Sequence, residues 1–107
     1  MQTTIRAFMA ALVFITALSV FSFAADTGPD LYKAKCASCH GADGSGNTAI
    51  GKRLNLRDLG SADVQKQSDD ELAQIIDKGK GKMPGFGGKL SKAQIDDLVK
   101  YIRSLKK

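Results

Sequence analysis

The amino-acid sequence predicts a small all-α domain. Two capping boxes, Ser68–Glu71 and Ser91–Gln94, each open a stretch whose apolar residues lie three and four positions apart, which is the spacing of a buried helix face. No stretch alternates apolar and polar residues as a convincing strand would. Internal repeats and linkers are also missing from the sequence, so the helices are expected to form one unit.

Residues 1–24 are predicted to be a signal peptide, which leaves residues 25–107 as the domain. Arg6 precedes an apolar run that ends in Ser22-Phe23-Ala24, with small residues where signal peptidase requires them. The run of about 17 residues is also marginal for a membrane span, so a retained anchor stays an alternative. Four of the five Phe lie in this segment. A small domain with so few aromatic residues needs another apolar group to fill its core, which favours a large apolar cofactor.

The first half of the domain is predicted to contain one helix and a long loop. Gly28-Pro29-Asp30 opens a helix that runs into Cys36, with proline near its start, where the missing N–H costs nothing. The segment 41–59 is rich in Gly, Asn and Asp without a sustained period, which predicts a loop. Ser61 is expected to cap a short helical piece that reaches Val64.

The second half is predicted to contain two amphipathic helices. The first follows Ser68, buries Leu72, Ile75 and Ile76, and ends at Gly79 as a left-handed C-cap. The second follows Ser91, and its apolar residues form one stripe: Ile95, Leu98, Val99, Ile102 and Leu105. A glycine-rich loop, residues 79–90, joins the two helices.

Cys36, Cys39 and His40 are the only cysteines and the only histidine in the chain. A dithiol oxidoreductase would place the first thiol at a helix N-terminus, which lowers its pKa, whereas this pair is expected at a helix end. A structural zinc site needs four ligands, and the cluster offers three. Covalent haem attachment uses all three residues: the two thiols bond the porphyrin and the imidazole is the proximal iron ligand.

Met83 is the remaining candidate for the second axial position. It is the only Met after residue 24, and it lies in a Gly-Lys-Met-Pro-Gly segment rather than on a helix stripe. Pro84 restricts it to extended geometry, and the glycines let the backbone approach a flat ligand. Lys80 and Lys82 are competing ligands that would first have to lose a proton. A His/Met pair raises the reduction potential and leaves no open coordination position, which favours single-electron transfer over catalysis.

Over essentially the whole domain, the sequence resembles the class I cytochromes c, of the small bacterial and cytochrome c6-like kind. The Cys36–His40 motif matches the attachment site, Met83-Pro84 matches the distal-ligand loop, Gly28 and Tyr32 match the N-terminal helix, and Leu98 and Tyr101 match the helix that packs across it. The resemblance implies a cytochrome c fold of three to five helices around one covalent haem c. The family usually has a proline after the attachment site whose carbonyl orients the proximal imidazole. This chain has none there, and we expect a carbonyl of residues 49–52 to do so.

The sequence therefore predicts a soluble, monomeric, periplasmic electron carrier that is not an enzyme and has no small-molecule substrate. Two other functions stay open: a thiol–disulfide enzyme that uses Cys36 and Cys39, and a ligand-sensing or peroxidatic haem protein with Met83 off the iron. Residues 25–107 contain 15 Lys and Arg against 11 Asp and Glu, but no run of basic residues that would suggest nucleic-acid binding. Several cations are instead expected to form a basic collar that steers acidic redox partners: Lys52, Arg53, Arg57, Lys80, Lys82 and Lys89.

Overall fold

The computed structural model describes residues 27–107, so the predicted signal peptide lies outside the described residues. This part of the chain contains six helices and no strand longer than an isolated bridge. The helices are α1 (Gly28–Lys35), α2 (Ala37–His40), α3 (Ala49–Leu54), α4 (Ala62–Gln65), α5 (Asp69–Lys78) and α6 (Lys92–Ser104). The all-α prediction is confirmed.

The helix count exceeds the expected three to five at two places. The first helix does not run unbroken through the cysteine motif, because Cys36 adopts φ −117° and ψ −36° and separates α1 from α2. The segment 41–59, predicted to be a loop, contains α3. That helix begins after Thr48, whose side chain accepts from the Gly51 N–H, and it ends at Asn55 in the left-handed conformation. The prediction missed α3 because six residues are too few to establish a period.

Helices α1 and α6 cross at Gly28. A Cβ atom on Gly28 would lie 2.6 Å from the carbonyl oxygen of Asp97 and 3.4 Å from the Cβ of Tyr101, so only glycine permits this approach. One turn further along, the rings of Tyr32 and Tyr101 pack with their centroids 4.8 Å apart. Leu98 is fully buried beside them. The crossing expected from the resemblance is confirmed.

Helices α5 and α6 supply most of the remaining core. Both N-cap serines accept from the backbone three residues on, and Ser91 and Gln94 form the complete reciprocal box. The α6 stripe is buried except for half-buried Leu105, and Leu72 and Ile76 of α5 are buried against it. Gly79 ends α5 with the expected positive φ of 79°, but its ψ of 174° is extended rather than left-handed helical.

Helix α4 is held to the end of α6 by two polar side chains. Gln65 donates through Nε2 to the carbonyls of Leu59 and Ile102, at 2.8 and 2.9 Å. Arg103 donates to the carbonyls of Gln65 and Gln67 and pairs with Asp69. Ser61 occupies the predicted N-cap position, but its hydroxyl donates to the Asp58 carbonyl instead of capping. Within residues 27–107, no helix is long and apolar enough to span a membrane.

Candidate functional site

One cleft runs between the cysteine motif and the loop that follows α5. It consists of two adjoining cavities of about 290 and 530 Å³. Both cavities are lined by Cys36, His40, Leu56, Lys80 and Met83, so they are two halves of the same space. The walls of the smaller half are mainly apolar and come from five helices and the 55–59 segment, including Val64, Leu72, Ile75, Ile76, Leu98 and Ile102. Ile75, predicted to be buried, is half-exposed because it faces this space.

The cysteine motif forms the first wall of the cleft. Both thiols are free and half-buried, and Cys36 and His40 lie one helical turn apart, with the His40 N–H donating to the Cys36 carbonyl at 3.0 Å. Burial, with the nearby Cys39 as a smaller cause, raises the pKa of the Cys36 thiol to about 11. Burial also lowers the pKa of the His40 imidazole. Cys36 is therefore a neutral thiol at pH 7, which is the opposite of what thiol–disulfide catalysis requires.

The backbone on the carboxyl side of this motif is tied to the rest of the fold. The Tyr32 hydroxyl donates to the Gly41 carbonyl at 2.6 Å, and the Thr48 hydroxyl donates to the Cys39 carbonyl at 2.7 Å. Burial raises the pKa of the Tyr32 hydroxyl well above its usual range, and Cys36, Tyr101 and Asp43 contribute less to the same increase. Neither contact can be predicted from the sequence, because each joins residues nine positions apart through a turn whose path the sequence does not specify.

The predicted carbonyl partner of His40 is not found. The Nδ1 atom of His40 is buried and has no hydrogen-bond partner among residues 27–107. The expectation that a carbonyl of residues 49–52 orients the imidazole is therefore wrong. The amide of Gly51 faces Thr48, and the carbonyls of Gly51 and Lys52 accept from the end of their own helix.

Met83 lies on the opposite wall, at the end of a tight turn. The N–H of Met83 donates to the Lys80 carbonyl at 3.0 Å, and the N–H of Lys80 donates to the Met83 carbonyl at 3.1 Å. Gly81, at the first central position, has a φ of 57°, as a two-residue turn of this kind requires. The turn is anchored to α5, because the Phe86 N–H donates to the Ile76 carbonyl at 2.9 Å. The fold thus brings Met83 to the same cleft as His40, 43 positions away in the sequence.

The residues of this cleft fit haem c. Two thiols lie at one edge, an imidazole and a thioether come from separate segments, and the walls between them are apolar. A structural zinc site does not fit, because residues 27–107 contain no group of three or more His, Cys, Asp or Glu side chains placed to hold a metal.

Four of the six cations expected in the basic collar line the cleft. Arg53 and Lys82 line the larger half, Arg57 lines the smaller half, and Lys80 lines both. Lys52 and Lys89 are exposed but do not line it. Lys35, which the collar prediction omitted, lines the larger half.

Comparisons with known proteins agree with this architecture. Residues 23–102 match the family model described as cytochrome c oxidase, cbb3-type, subunit III. Cytochrome c6 of Synechococcus sp. strain PCC 6312 is 34% identical over 105 residues, covering 95% of this chain and 91% of the relative. The solved c-type cytochrome KustC0563 superposes with a TM-score of 0.71 at 35% identity, covering 76% of this chain and 99% of that one. Cytochrome c6 of the diatom Phaeodactylum tricornutum superposes with a TM-score of 0.54 at 28% identity, covering 72% and 87%.

The fold and these matches define the class of c-type cytochromes. Within that class, the chain belongs to the cytochrome c6-like, class I cytochrome c family. It is accordingly an electron-transfer protein with covalently bound haem c and is not an enzyme.

Proposed function

We propose that Cys36 and Cys39 form the thioether bonds to the haem, that His40 is the proximal iron ligand and that Met83 is the distal ligand. The observation that carries this proposal is the placement of Cys36, His40 and Met83 around both halves of one apolar cleft. Free thiols at the cleft edge supply the groups that add to vinyl substituents. Bound in this cleft, haem iron supplies reversible one-electron exchange between its ferrous and ferric states.

The residues around the cleft favour electron transfer without side reactions. With His40 and Met83 as ligands from the two walls, the haem iron would have no open coordination position for oxygen or peroxide. The apolar side chains of α5 and α6 exclude water from the smaller half and thereby favour the less charged oxidation state. The thioether of Met83 acts in the same direction, because a polarizable sulfur ligand stabilises ferrous iron.

The assignment is tested by absorption spectra of protein exported from cells that have the haem-maturation machinery. The wild type is expected to show a c-type reduced spectrum, haem that stays attached after denaturation, and the weak far-red band of sulfur-ligated ferric haem. Met83→Ala should keep the attached haem, lose the far-red band and bind added ligands such as imidazole. Lys82→Ala, which changes the adjacent cation and keeps the thioether, is the matched control and should retain the band.

Two outcomes would contradict the proposal in different ways. A wild-type protein with attached haem but no far-red band would show that Met83 is off the iron and would favour the ligand-sensing or peroxidatic function. A colourless protein from competent cells would overturn the haem attachment at Cys36 and Cys39 and favour the dithiol function instead.

We further propose that the chain docks acidic redox partners at the cations lining the cleft: Lys35, Arg53, Arg57, Lys80 and Lys82. Opposite charges around the point of electron transfer raise the association rate, and salt screens this effect. Lys80→Glu should lower the bimolecular rate with an acidic partner and flatten its salt dependence. Lys106→Glu makes the same change of charge on an exposed residue outside the cleft lining and should have a smaller effect. Equal effects of the two substitutions would refute the docking site.

The proposed working form is a monomer in the periplasm, made by cleavage of residues 1–24. The intact mass of the exported protein tests the cleavage, and fractionation of the producing cells tests the compartment. A product that retains residues 1–24 and sediments with membranes would replace this proposal by an anchored form. Analytical ultracentrifugation of the holoprotein tests the monomer, which a concentration-dependent increase in mass would contradict.

A further inference from the structure

Three consecutive carbonyl groups at the end of the cysteine motif each accept a hydrogen bond from a residue outside the motif. The Thr48 hydroxyl donates to the Cys39 carbonyl at 2.7 Å. The Gly46 N–H donates to the His40 carbonyl at 2.7 Å. The Tyr32 hydroxyl donates to the Gly41 carbonyl at 2.6 Å. Of the two side-chain donors, only Thr48 belongs to the segment that follows the motif.

Thr48 uses both hydrogen-bonding capacities of its hydroxyl. While the hydrogen points to Cys39, the oxygen accepts from the Gly51 N–H at 2.8 Å and so caps α3. The backbones converge tightly at this point, since a Cβ on Gly51 would lie 2.8 Å from the Cys39 carbonyl oxygen. The half-buried hydroxyl therefore joins the start of α3 directly to the peptide group that precedes His40.

We propose that Thr48 is a positioning residue for the His40 imidazole. The two peptide planes on either side of the His40 Cα determine its φ and ψ. The bond from Thr48 holds the first of these planes, and the bond from Gly46 holds the second. Fixed φ and ψ restrict the allowed rotamers of the side chain, and hence the direction of the ring. A carbonyl that accepts a hydrogen bond from Nδ1 would orient the ring directly. In this protein the orientation of the ring is set instead through the backbone of His40.

This inference rests on the proposed function, because it requires His40 to be the iron ligand. The test uses holoprotein with Thr48→Val, which keeps the side-chain shape and removes the hydroxyl. Thr48→Ser restores the hydroxyl. Thr27→Val is the matched control, because the Thr27 hydroxyl is exposed and bonds only Asp30 among the described residues. The measurements are the hyperfine-shifted NMR resonances of the His40 ring in the ferric protein, the reduction potential, and the exchange rate of the Gly51 amide.

Thr48→Val should shift the His40 resonances and the potential, and should speed exchange of the Gly51 amide by about two- to tenfold, the effect of one lost hydrogen bond. Thr48→Ser should restore all three values, and Thr27→Val should leave them unchanged. One further check uses the wild type alone. In its NMR spectra, the Thr48 hydroxyl proton should exchange slowly with water and lie close to the Cys39–His40 peptide group.

Two results would overturn the positioning role. One is a lowered free energy of unfolding in Thr48→Val with unchanged His40 resonances, which would show that the hydroxyl only stabilises the fold. The other is a rapidly exchanging Thr48 hydroxyl in the wild type. Failure of the proposed function is distinguishable, because the wild type itself would then lack hyperfine-shifted His40 resonances.

Discussion

Replacing Gly79 by alanine should displace the segment that carries Met83. Gly79 has φ 79° and ψ 174°, a backbone region that is essentially restricted to glycine and costs another residue about 1–3 kcal/mol. A Cβ atom there would lie 2.5 Å from the Met83 carbonyl oxygen, 2.7 Å from the Gly85 nitrogen and 2.9 Å from the Pro84 carbonyl carbon. All three are backbone atoms, which cannot move aside by rotating a side chain, and such overpacking costs about 1–3 kcal/mol. The expected loss in free energy of unfolding is therefore about 2–6 kcal/mol.

Gly81→Ala is the matched control for this prediction. Gly81 also has a positive φ, of 57°, but a Cβ there would meet nothing within 4 Å. The free energy of unfolding of Gly81→Ala should therefore fall only by the cost of the positive φ, about 1–2 kcal/mol. Denaturant unfolding of the two holoproteins measures the difference, and the far-red band reports whether Met83 is still on the iron. Equal stability losses, or an intact far-red band in Gly79→Ala, would refute the steric reasoning.

Three further substitutions test other parts of the fold. Gly28→Ala forces a Cβ against a carbonyl of α6 and should destabilise by about 1–3 kcal/mol in denaturant unfolding, while Gly88→Ala, in open space, should stay within about 0.5 kcal/mol of wild type. Ser91→Ala removes a complete capping box and should cost about 1 kcal/mol by the same assay. Lys107→Met tests the pH dependence of stability: the hydrogen bond from Lys107 holds the pKa of Asp58 below its ordinary 3.8, so the stabilisation is present above that value and is lost as pH falls through the lower, folded value. Urea unfolding of the variant should show a shallower acid-side loss than wild type, and parallel curves would contradict the coupling.

The features that the sequence predicted correctly depend on residues close together in the chain. The stripe on α6 and its capping box follow from spacings of three and four residues, and both appear as expected. The Cys36–His40 motif identified the chemistry because covalent haem attachment requires two thiols and an imidazole at that spacing. Met83 lies outside the helices and lines the same cleft as His40, as its position between glycines and before a proline indicated. Its role as the distal ligand stays a prediction.

The features that the sequence did not reveal depend on contacts between distant segments. Helix α3 has no apolar period, and its position is set by Thr48, which bonds both the helix and the cysteine motif. Gln65 and Arg103 hold α4 to α6 across separations of 37 and 38 residues, respectively. A carbonyl of residues 49–52 was the expected contact to the His40 imidazole, but the Nδ1 atom of His40 has no hydrogen-bond partner among residues 27–107. The donors that actually hold this region are hydroxyls and a backbone amide.

The two walls of the cleft belong to separate stretches of the chain, so one wall can lose its structure while the other stays folded. Under the proposed assignment, both covalent bonds to the cofactor lie on the 36–40 wall, and the weak thioether ligand lies 43 residues away on the other. Closing a loop of that length in a disordered chain costs about 4 kcal/mol of conformational entropy. The turn at Lys80–Met83 and its anchor on α5 remove that cost only while the segment is folded. Local opening of α5 and its loop would therefore release Met83 and expose the iron without losing the cofactor. The far-red band would thus report whether this one segment is folded, and it should disappear before the domain unfolds as a whole.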